Sequence, residues 1–545
     1  MLPCSRALLS PSLILLRTAS FSSPLCSSTV GAAPKLLPSI QRRFIMTKDE
    51  SLPVEEIVCK FSDVPENGKK EIELRGRKIL LINDAGSLSA VNALCPHFDL
   101  PLINAVVSGG KIRCAYHGAC FDLKTGDIED FPGLDSLHSY KVDRVGDDIV
   151  IRTSEKQLES TRRSRHSCLR SAPRKEEKPI VVVGGVEHLR LAGWEGPITL
   201  LTKEATPPYD RVPLTKIMTI PARRFRDDDF YSQQHIDVRC NSEVVGLDAD
   251  SHSISLAGGS TVQYSKLILA LGGAVRKLPV PGGDLENVFT LRTIEDTHAI
   301  WTAAEGKDVV CIGGSFTGME AAASLKPHAK SIIVISTTPE PFPALGEDVG
   351  GSLRKYFATK GVEVRTSARV VEIVGNESGG TKEHGVGLDE GGFIKVNADF
   401  ETNLPGVFAI GDVVTAPLPL WDIDSINIQH FQTAQRHGHL AAYSVIGKPQ
   451  PGHVIPYFWT HVFGERGVQF SGCAHGADET IVHGDLEEFT FRKFYFRKGL
   501  LVAVMKGGTS TTHAIQFLAM AADRRRITKE EIEGNPTDDW SVYFE

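Results

Sequence analysis

Two short motifs, Cys95-Pro-His97 and Cys114-Ala-Tyr-His117-Gly118, constrain this 545-residue chain more than its hydrophobic pattern does. Sixteen residues separate His97 from Cys114. Each motif offers one thiolate and one imidazole, so the four groups act together only if both segments are loops brought face to face. The surrounding sequence suits such a fold. From Pro53 to about Ile151 the apolar residues fall in short runs between turn signals, as in Lys78-Ile-Leu-Leu-Ile82 before Asn83-Asp-Ala-Gly86. Runs of this kind predict a small all-β domain over 53–151. The ten cysteines include no Cys-x-x-Cys pair, which argues against a disulfide scaffold and leaves metal ligation as their specialised use.

Two metal chemistries take such a ligand set. In a [2Fe–2S] cluster of the Rieske kind, two cysteines hold one iron and two histidines the other, and the neutral imidazoles raise the potential. Structural zinc also takes two cysteines and two histidines, but usually groups like with like. Alternation within each loop favours iron, with Cys95, His97, Cys114 and His117 as ligands. Residues 53–151 resemble a ferredoxin-type Rieske domain, and Phe131-Pro132-Gly133 resembles the third loop that shields the cluster. Leu100 and Tyr116 stand where respiratory Rieske proteins carry a disulfide. The resemblance thus implies an undecorated cluster of lower potential, suited to electrons from a reduced flavin. Cys120 reads as a buried small hydrophobe.

Charge and apolar patterning divide the rest. Residues 1–48 hold six basic side chains, no acid and many serines, the composition of a mitochondrial transit peptide over 1–46. The rivals are a secretory signal, a disordered tail, and a cytosolic product starting at Met46. Residues 152–178 carry almost no large apolar groups and read as a linker. Beyond Pro179, buried strands alternate with helices, the pattern of parallel α/β architecture. The expected order is a FAD-binding part over 179–300, an NAD(P)H-binding part over 301–380, a second FAD-binding part over 381–449 and a C-terminal α+β module over 450–545. With 67 acidic and 60 basic side chains, nucleic acid is not an expected partner. No apolar run approaches 18 residues, so no membrane-spanning helix is predicted.

Cys311-Ile-Gly313-Gly-Ser315-Phe-Thr-Gly318 follows a predicted strand and opens an Ala-rich helix. Small residues at Gly313, Ser315 and Gly318 permit the tight turn and the close approach of backbone amides to a pyrophosphate. Thr402-Asn-Leu-Pro-Gly-Val-Phe-Ala-Ile-Gly411-Asp412 resembles the second FAD fingerprint of two-dinucleotide flavoproteins, which implies that Asp412 bonds the ribityl chain. Pro208-Tyr-Asp-Arg211 with Leu214-Thr-Lys216 is similar to their segment near the isoalloxazine, and Glu204 sits like the acid on the adenosine ribose. Lys216 is the candidate cation beside the flavin, its alternative being a solvated surface lysine.

The order of modules resembles the Rieske-bearing members of the apoptosis-inducing factor family. That resemblance covers essentially 53–545. It implies hydride transfer from NAD(P)H to FAD and electron flow through the [2Fe–2S] cluster to an unknown acceptor, and it brings an association with programmed cell death. Tyr457-Phe-Trp459 resembles the aromatic segment near the flavin in these reductases, with a core aromatic pair as the plainer reading. The β-rich C-terminal module is a candidate dimer contact.

Three departures from the family pattern stand out. Val183-Gly184-Gly185-Val-Glu-His-Leu-Arg190 lacks the third fingerprint glycine, and only residues 184–197 separate two predicted strands. A βαβ crossover needs at least about 10–12 residues, so the phosphate loop is expected to be shortened. Ile373-Val-Gly-Asn-Glu-Ser-Gly-Gly380 passes almost directly to Gly385, where the family has a further strand. Ser336 stands where an NAD-preferring site carries an acid, which leaves NADPH open. The alternative function is a degenerate flavoprotein, acting as a cluster-bearing redox sensor or pro-apoptotic interaction protein.

Overall fold

The computed structural model describes residues 53–164, 177–183, 188–371, 373, 392–508, 512–535 and 540–543. The transit-peptide reading of 1–46, together with Gly184, Gly185 and 374–391, lies outside the described residues. The first domain is built on strand Arg77–Asp84, whose alternating side chains enter two cores. Leu80 and Ile82 point to the core that holds Cys95 and Cys114, while Ile79 and Leu81 point to the opposite one. A six-stranded antiparallel sheet surrounds this strand, running from Pro53–Lys60 through Asp148–Ser154 and Ser139–Val145 to Gly68–Leu74. A second sheet of four short strands, Val106–Ser108, Lys111–Arg113, Cys120–Asp122 and Ile128–Asp130, frames the second ligand loop.

The expected linker from 152 requires correction at its start. The last strand runs on to Ser154, which caps the short helix Glu155–Glu159 by accepting a hydrogen bond from the Gln157 amide. Leu158 is buried there, one large apolar side chain at the right helical phase being enough to extend the core. Arg163 then donates to the carbonyls of Leu137 and Thr125, tying the chain to the domain as far as Ser164.

The part expected to bind FAD is a five-stranded parallel sheet in the order Ile236–Arg239, Ile198–Leu201, Ile180–Val183, Lys266–Leu269, Val407–Ala409. Its last strand arrives from far along the chain, so the two sequence segments close one sheet. Strand order reverses between Ile180–Val183 and Lys266–Leu269, the position at which doubly wound sheets open a ligand crevice. The crossover after Ile180–Val183 is short, its helix His188–Ala192 having five residues, about 7.5 Å at 1.5 Å per residue. Arg190 secures it. This buried guanidinium donates to the carbonyls of Gln234, Trp194, Gly196 and His235 at 2.8–3.0 Å. Burial lowers its pKa to about 10, still charged at neutral pH. Arg190→Met strands four carbonyls and is expected to cost at least about 3 kcal/mol, read from the urea midpoint. An unchanged midpoint would contradict the staple.

The unit expected to bind NAD(P)H has three parallel strands, Asp308–Ile312, Ser331–Ile335 and Val362–Arg365, with helices Phe316–Leu325 and Glu347–Thr359. Asp308–Ile312 lies at the sheet edge, and Val310 and Ile312 are 54% and 44% exposed. The C-terminal module is a five-stranded antiparallel sheet with helix His513–Ala522 packed on it. Tyr457, Ile515 and Leu518 pack against Val106 of the first domain. No helix among the described residues is long and apolar enough to cross a membrane.

Candidate functional site

Cys95 ends the two-residue strand Leu94–Cys95, and a turn closed by the Asp99 amide on the Cys95 carbonyl, 2.8 Å, presents His97. Cys114 opens a matching turn closed by the Gly118 amide at 3.1 Å. Gly118 has φ +80°, and a Cβ there would lie 3.3 Å from Leu518 and 3.4 Å from Tyr457. Both cysteines are buried, and a hydrogen bond between them lowers the pKa of Cys114 and raises that of Cys95. The rings of His97 and His117 meet edge to face with centroids 4.9 Å apart. Burial drives His97 down to about 2 and His117 to about 4, so both imidazoles are neutral. His97 Nδ1 is buried and without a hydrogen-bond partner. Thiol beside thiol, imidazole beside imidazole, and an unclaimed ring nitrogen fit a binuclear [2Fe–2S] cluster with two ligands per iron.

One supporting residue escaped the sequence reading. Buried Arg113 donates to the Gly118 carbonyl at 2.9 Å and to Asp130 at 3.2 Å, and Asp130 accepts from the Phe131 amide at 3.0 Å. The second and third loops are thereby joined. An arginine immediately before Cys114, five residues ahead of Gly118, carries no local signal for this role.

At the strand-order reversal lies a cavity of about 730 Å³, within the usual range for a cofactor cleft. Glu204, Arg211, Lys216, Gly411 and Asp412 all line it. Glu204 accepts from Tyr209 Oη at 2.7 Å and Arg211 Nη2 at 2.5 Å, so it is paired as well as cavity-facing. Gly411 has φ +77°, and its amide donates to His437 Nδ1 at 3.3 Å beneath helix Phe431–Val445. Burial raises the pKa of Asp412, an effect opposed by the nearby Arg292 and Arg211. Gln435 Oε1 also belongs to the cavity wall, buried and without a partner. An acid, cations and an unclaimed amide oxygen suit the polar parts of FAD.

Lys216 is not a solvated surface lysine. Its Nζ lies 2.6 Å from Glu320 Oε1, and both side chains line the cavity. Thr215 and Thr460 hydroxyls donate to Glu320 at 2.5 and 2.6 Å. His430, missed by sequence reading, also lines the cavity; burial and then Lys216 lower its pKa to about 3. Removing one partner of a buried pair strands the other charge. Glu320→Ala is therefore expected to destabilise the protein by about 3 kcal/mol, whereas Lys216→Met with Glu320→Gln costs less. Equal midpoints for the two variants in urea would refute the pairing.

The loop expected to hold the phosphates of the nicotinamide cofactor is defined by close approach. A Cβ on Gly314 would lie 2.5 Å from Ser336 Oγ, and one on Gly318 only 2.0 Å from the Gly313 carbonyl oxygen. Gly313 has φ +117°, and Ser315 is the residue that precedes helix Phe316–Leu325. The expected pyrophosphate residues thus sit at the positive end of that helix. Ser336 is buried and bonds Thr338 Oγ1 at 2.7 Å, with no carboxylate in its place.

Cluster loops and cavity meet at Trp459. Its ring centroid lies 4.3 Å from that of His117, while Lys216 Nζ stands 5.4 Å over the same ring from the cavity side. Gln469 donates to the carbonyls of Ala115 and Tyr116, Tyr457 Oη to Tyr116, and Gln432 to His117. Arg226 reaches Asp135 at 2.8 Å and the Leu134 carbonyl at 3.1 Å. The second ligand loop is therefore fastened to the wall of the cleft through its backbone.

Comparison with known proteins agrees with this arrangement. Residues 55–141 match the Rieske [2Fe-2S] domain, and residues 178–384 and 378–438 match the pyridine nucleotide-disulphide oxidoreductase family. The chain is 35% identical over 523 residues to Apoptosis-inducing factor 3 of Homo sapiens, covering 88% of this chain and 86% of that protein. It is 28% identical over 330 residues to the biphenyl dioxygenase system ferredoxin–NAD(+) reductase component of Paraburkholderia xenovorans (strain LB400), covering 55% of this chain and 80% of that one. The fold matches the covalent putidaredoxin reductase–putidaredoxin complex with a TM-score of 0.59 and 24% identity, over 66% of this chain and 98% of the other.

Proposed function

We propose that this chain, which belongs to the apoptosis-inducing factor 3 family, uses its own Rieske domain as the first electron acceptor of its reductase half. It is an NAD(P)H-dependent flavoprotein oxidoreductase whose cofactors are FAD and a Rieske [2Fe–2S] cluster. When bound, FAD supplies hydride acceptance from NAD(P)H, and the cluster supplies one-electron transfer. The observation that carries the reading is the contact of His117 with Trp459, 4.3 Å between rings, on the wall of the cavity that holds Lys216 and Asp412.

The chain's own residues account for the remaining requirements. Lys216 places positive charge at the cleft wall, and Glu320 with its two threonines fixes that charge in position. Asp412 and Glu204 are hydrogen-bond acceptors for hydroxyls of the cofactor. Gln469, Tyr457 and Gln432 hold the His117 loop against Trp459, so distance is set by backbone contacts. The lack of an acid at Ser336 supports acceptance of NADPH as well as NADH. The acid-free leader supports delivery to the mitochondrion. The human relative's name attaches cell death to that protein; for this chain, such a role would follow from electron output.

Anaerobic titration of the purified chain with NADH or NADPH tests the proposal. The paramagnetic signal of the reduced cluster is expected to appear with no second protein present. Bleaching of the flavin while the cluster stays oxidised would overturn the reading.

A further inference from the structure

Four side chains form a row across the C-terminal sheet. Trp459 on Tyr457–Val462 pairs with Gln469 on Arg466–Gly472, Gln469 with Lys506 on Leu500–Gly507, and Lys506 with Arg492 on Thr490–Arg497. Residues directly opposite each other on antiparallel strands share a face, so the row lies on one side of the sheet. Its first two members hold the second ligand loop. Trp459 meets the His117 ring at 4.3 Å, and Gln469 Nε2 donates to the carbonyls of Ala115 and Tyr116 at 3.0 and 2.7 Å. Both carbonyls lie between the ligands Cys114 and His117. Lys506 is the next member, one strand behind Gln469 at a spacing of about 4.8 Å.

A lysine is an unfavourable choice for that place. Lys506 is only 5% exposed, and its Nζ makes one hydrogen bond, to the Gly508 carbonyl at 2.9 Å. Among the described residues no carboxylate pairs with it, and its other neighbour in the row, Arg492, is a second cation. Burial lowers its pKa to about 8, so the ammonium is charged at neutral pH. A buried charge without a counter-ion is costly, and a neutral side chain of similar length would fill the place without that cost. What the row leads to is the ligand loop. A [2Fe–2S] cluster held by two thiolates and two neutral imidazoles gains one negative charge on reduction, and the charge around such a cluster helps to set its potential.

We propose that Lys506 raises the reduction potential of the cluster: its buried ammonium, one strand behind the side chain that grips the Cys114–His117 loop, stabilises the negative charge that arrives with the electron. The inference rests on the assignment of the four ligands, but not on the flavin as the source of electrons. One electron enters the cluster, no bond forms or breaks, and the lysine keeps its proton. Lys506 acts through the field of its charge, without touching the metal. A unit charge about 12 Å away, in surroundings of effective dielectric about 20, shifts a one-electron equilibrium about tenfold.

The test is a potential. Full-length protein, purified anaerobically, is titrated with dithionite and redox mediators at pH 7 and low salt, and the paramagnetic signal of the reduced cluster is followed. Lys506→Met is expected to lower the one-electron equilibrium constant about tenfold, which is a potential about 59 mV more negative. Lys506→Gln keeps a donor for the Gly508 carbonyl; it is expected to fall as far, and it secures the test if methionine disturbs the sheet. Lys506→Arg keeps the charge and should stay within about threefold of the parent. Iron content should match the parent in all three. An unchanged potential in both neutral variants, or an arginine variant that falls as far as they do, would overturn the inference. An unmodified chain that holds no binuclear iron would overturn the ligand assignment, and the inference with it.

Discussion

A His97→Ala, His117→Ala double variant is expected to lose its iron, from two atoms per chain to background, while keeping FAD. In the proposed cluster the two imidazoles are the only protein ligands of one iron, and methyl groups offer that metal nothing. The thiols of Cys95 and Cys114, already hydrogen-bonded to each other, have no second partner set to retain a binuclear centre. The reductase half does not share these residues. Glu204, Arg211 and Lys216 are held by contacts of their own, so NAD(P)H-driven reduction of ferricyanide should remain within about twofold of the parent. Delivery to a one-electron carrier protein should fall to background, because the cluster is the outlet in the proposed path. Iron analysis, flavin released after denaturation and the two assays decide the matter. Undiminished delivery in an iron-free variant would sink the scheme.

Gly318→Ala is expected to have the second large effect, on the nicotinamide side alone. The added Cβ would stand 2.0 Å from the Gly313 carbonyl oxygen, a distance that carbon and oxygen do not tolerate. Loop and helix must part by about 1 Å, and displacement of that size from a productive geometry can cost about 100-fold. The KM for NADH and NADPH should rise by roughly that factor, with FAD and iron retained. Gly258→Ala is the control, since nothing lies within 4 Å of its added Cβ and its φ is not positive. A Gly318→Ala variant with the parent's KM would show that this turn does not seat the pyrophosphate.

Much of the architecture could be read from local pattern. Ile180–Val183 and Ile198–Leu201 are short apolar runs buried in a parallel sheet, and such runs mark themselves by composition. The ligand loops were legible because a thiolate and an imidazole two or three residues apart have few other uses. The linker boundary at 152 was misplaced because Leu158 is one side chain whose partners, such as Val54, lie about a hundred residues earlier. Lys216 could be read as a surface lysine because Glu320 lies over a hundred residues away. Arg190, Arg113 and His430 carry no motif at all. Their roles come from carbonyls, charges and walls that only the folded chain brings near. Trp459 was singled out as an aromatic near the flavin, but its contact with His117 joins two domains that no sequence window spans.

The central claim is that flavin and cluster are partners within one chain. Anaerobic stopped-flow mixing with NADPH, following the cluster at protein concentrations tenfold apart, tests it most directly. Transfer across the fixed contact of His117 and Trp459 predicts a rate constant for cluster reduction that does not change with protein concentration. A rate that rises in proportion to concentration would mean electrons pass between molecules, and the internal path would be wrong.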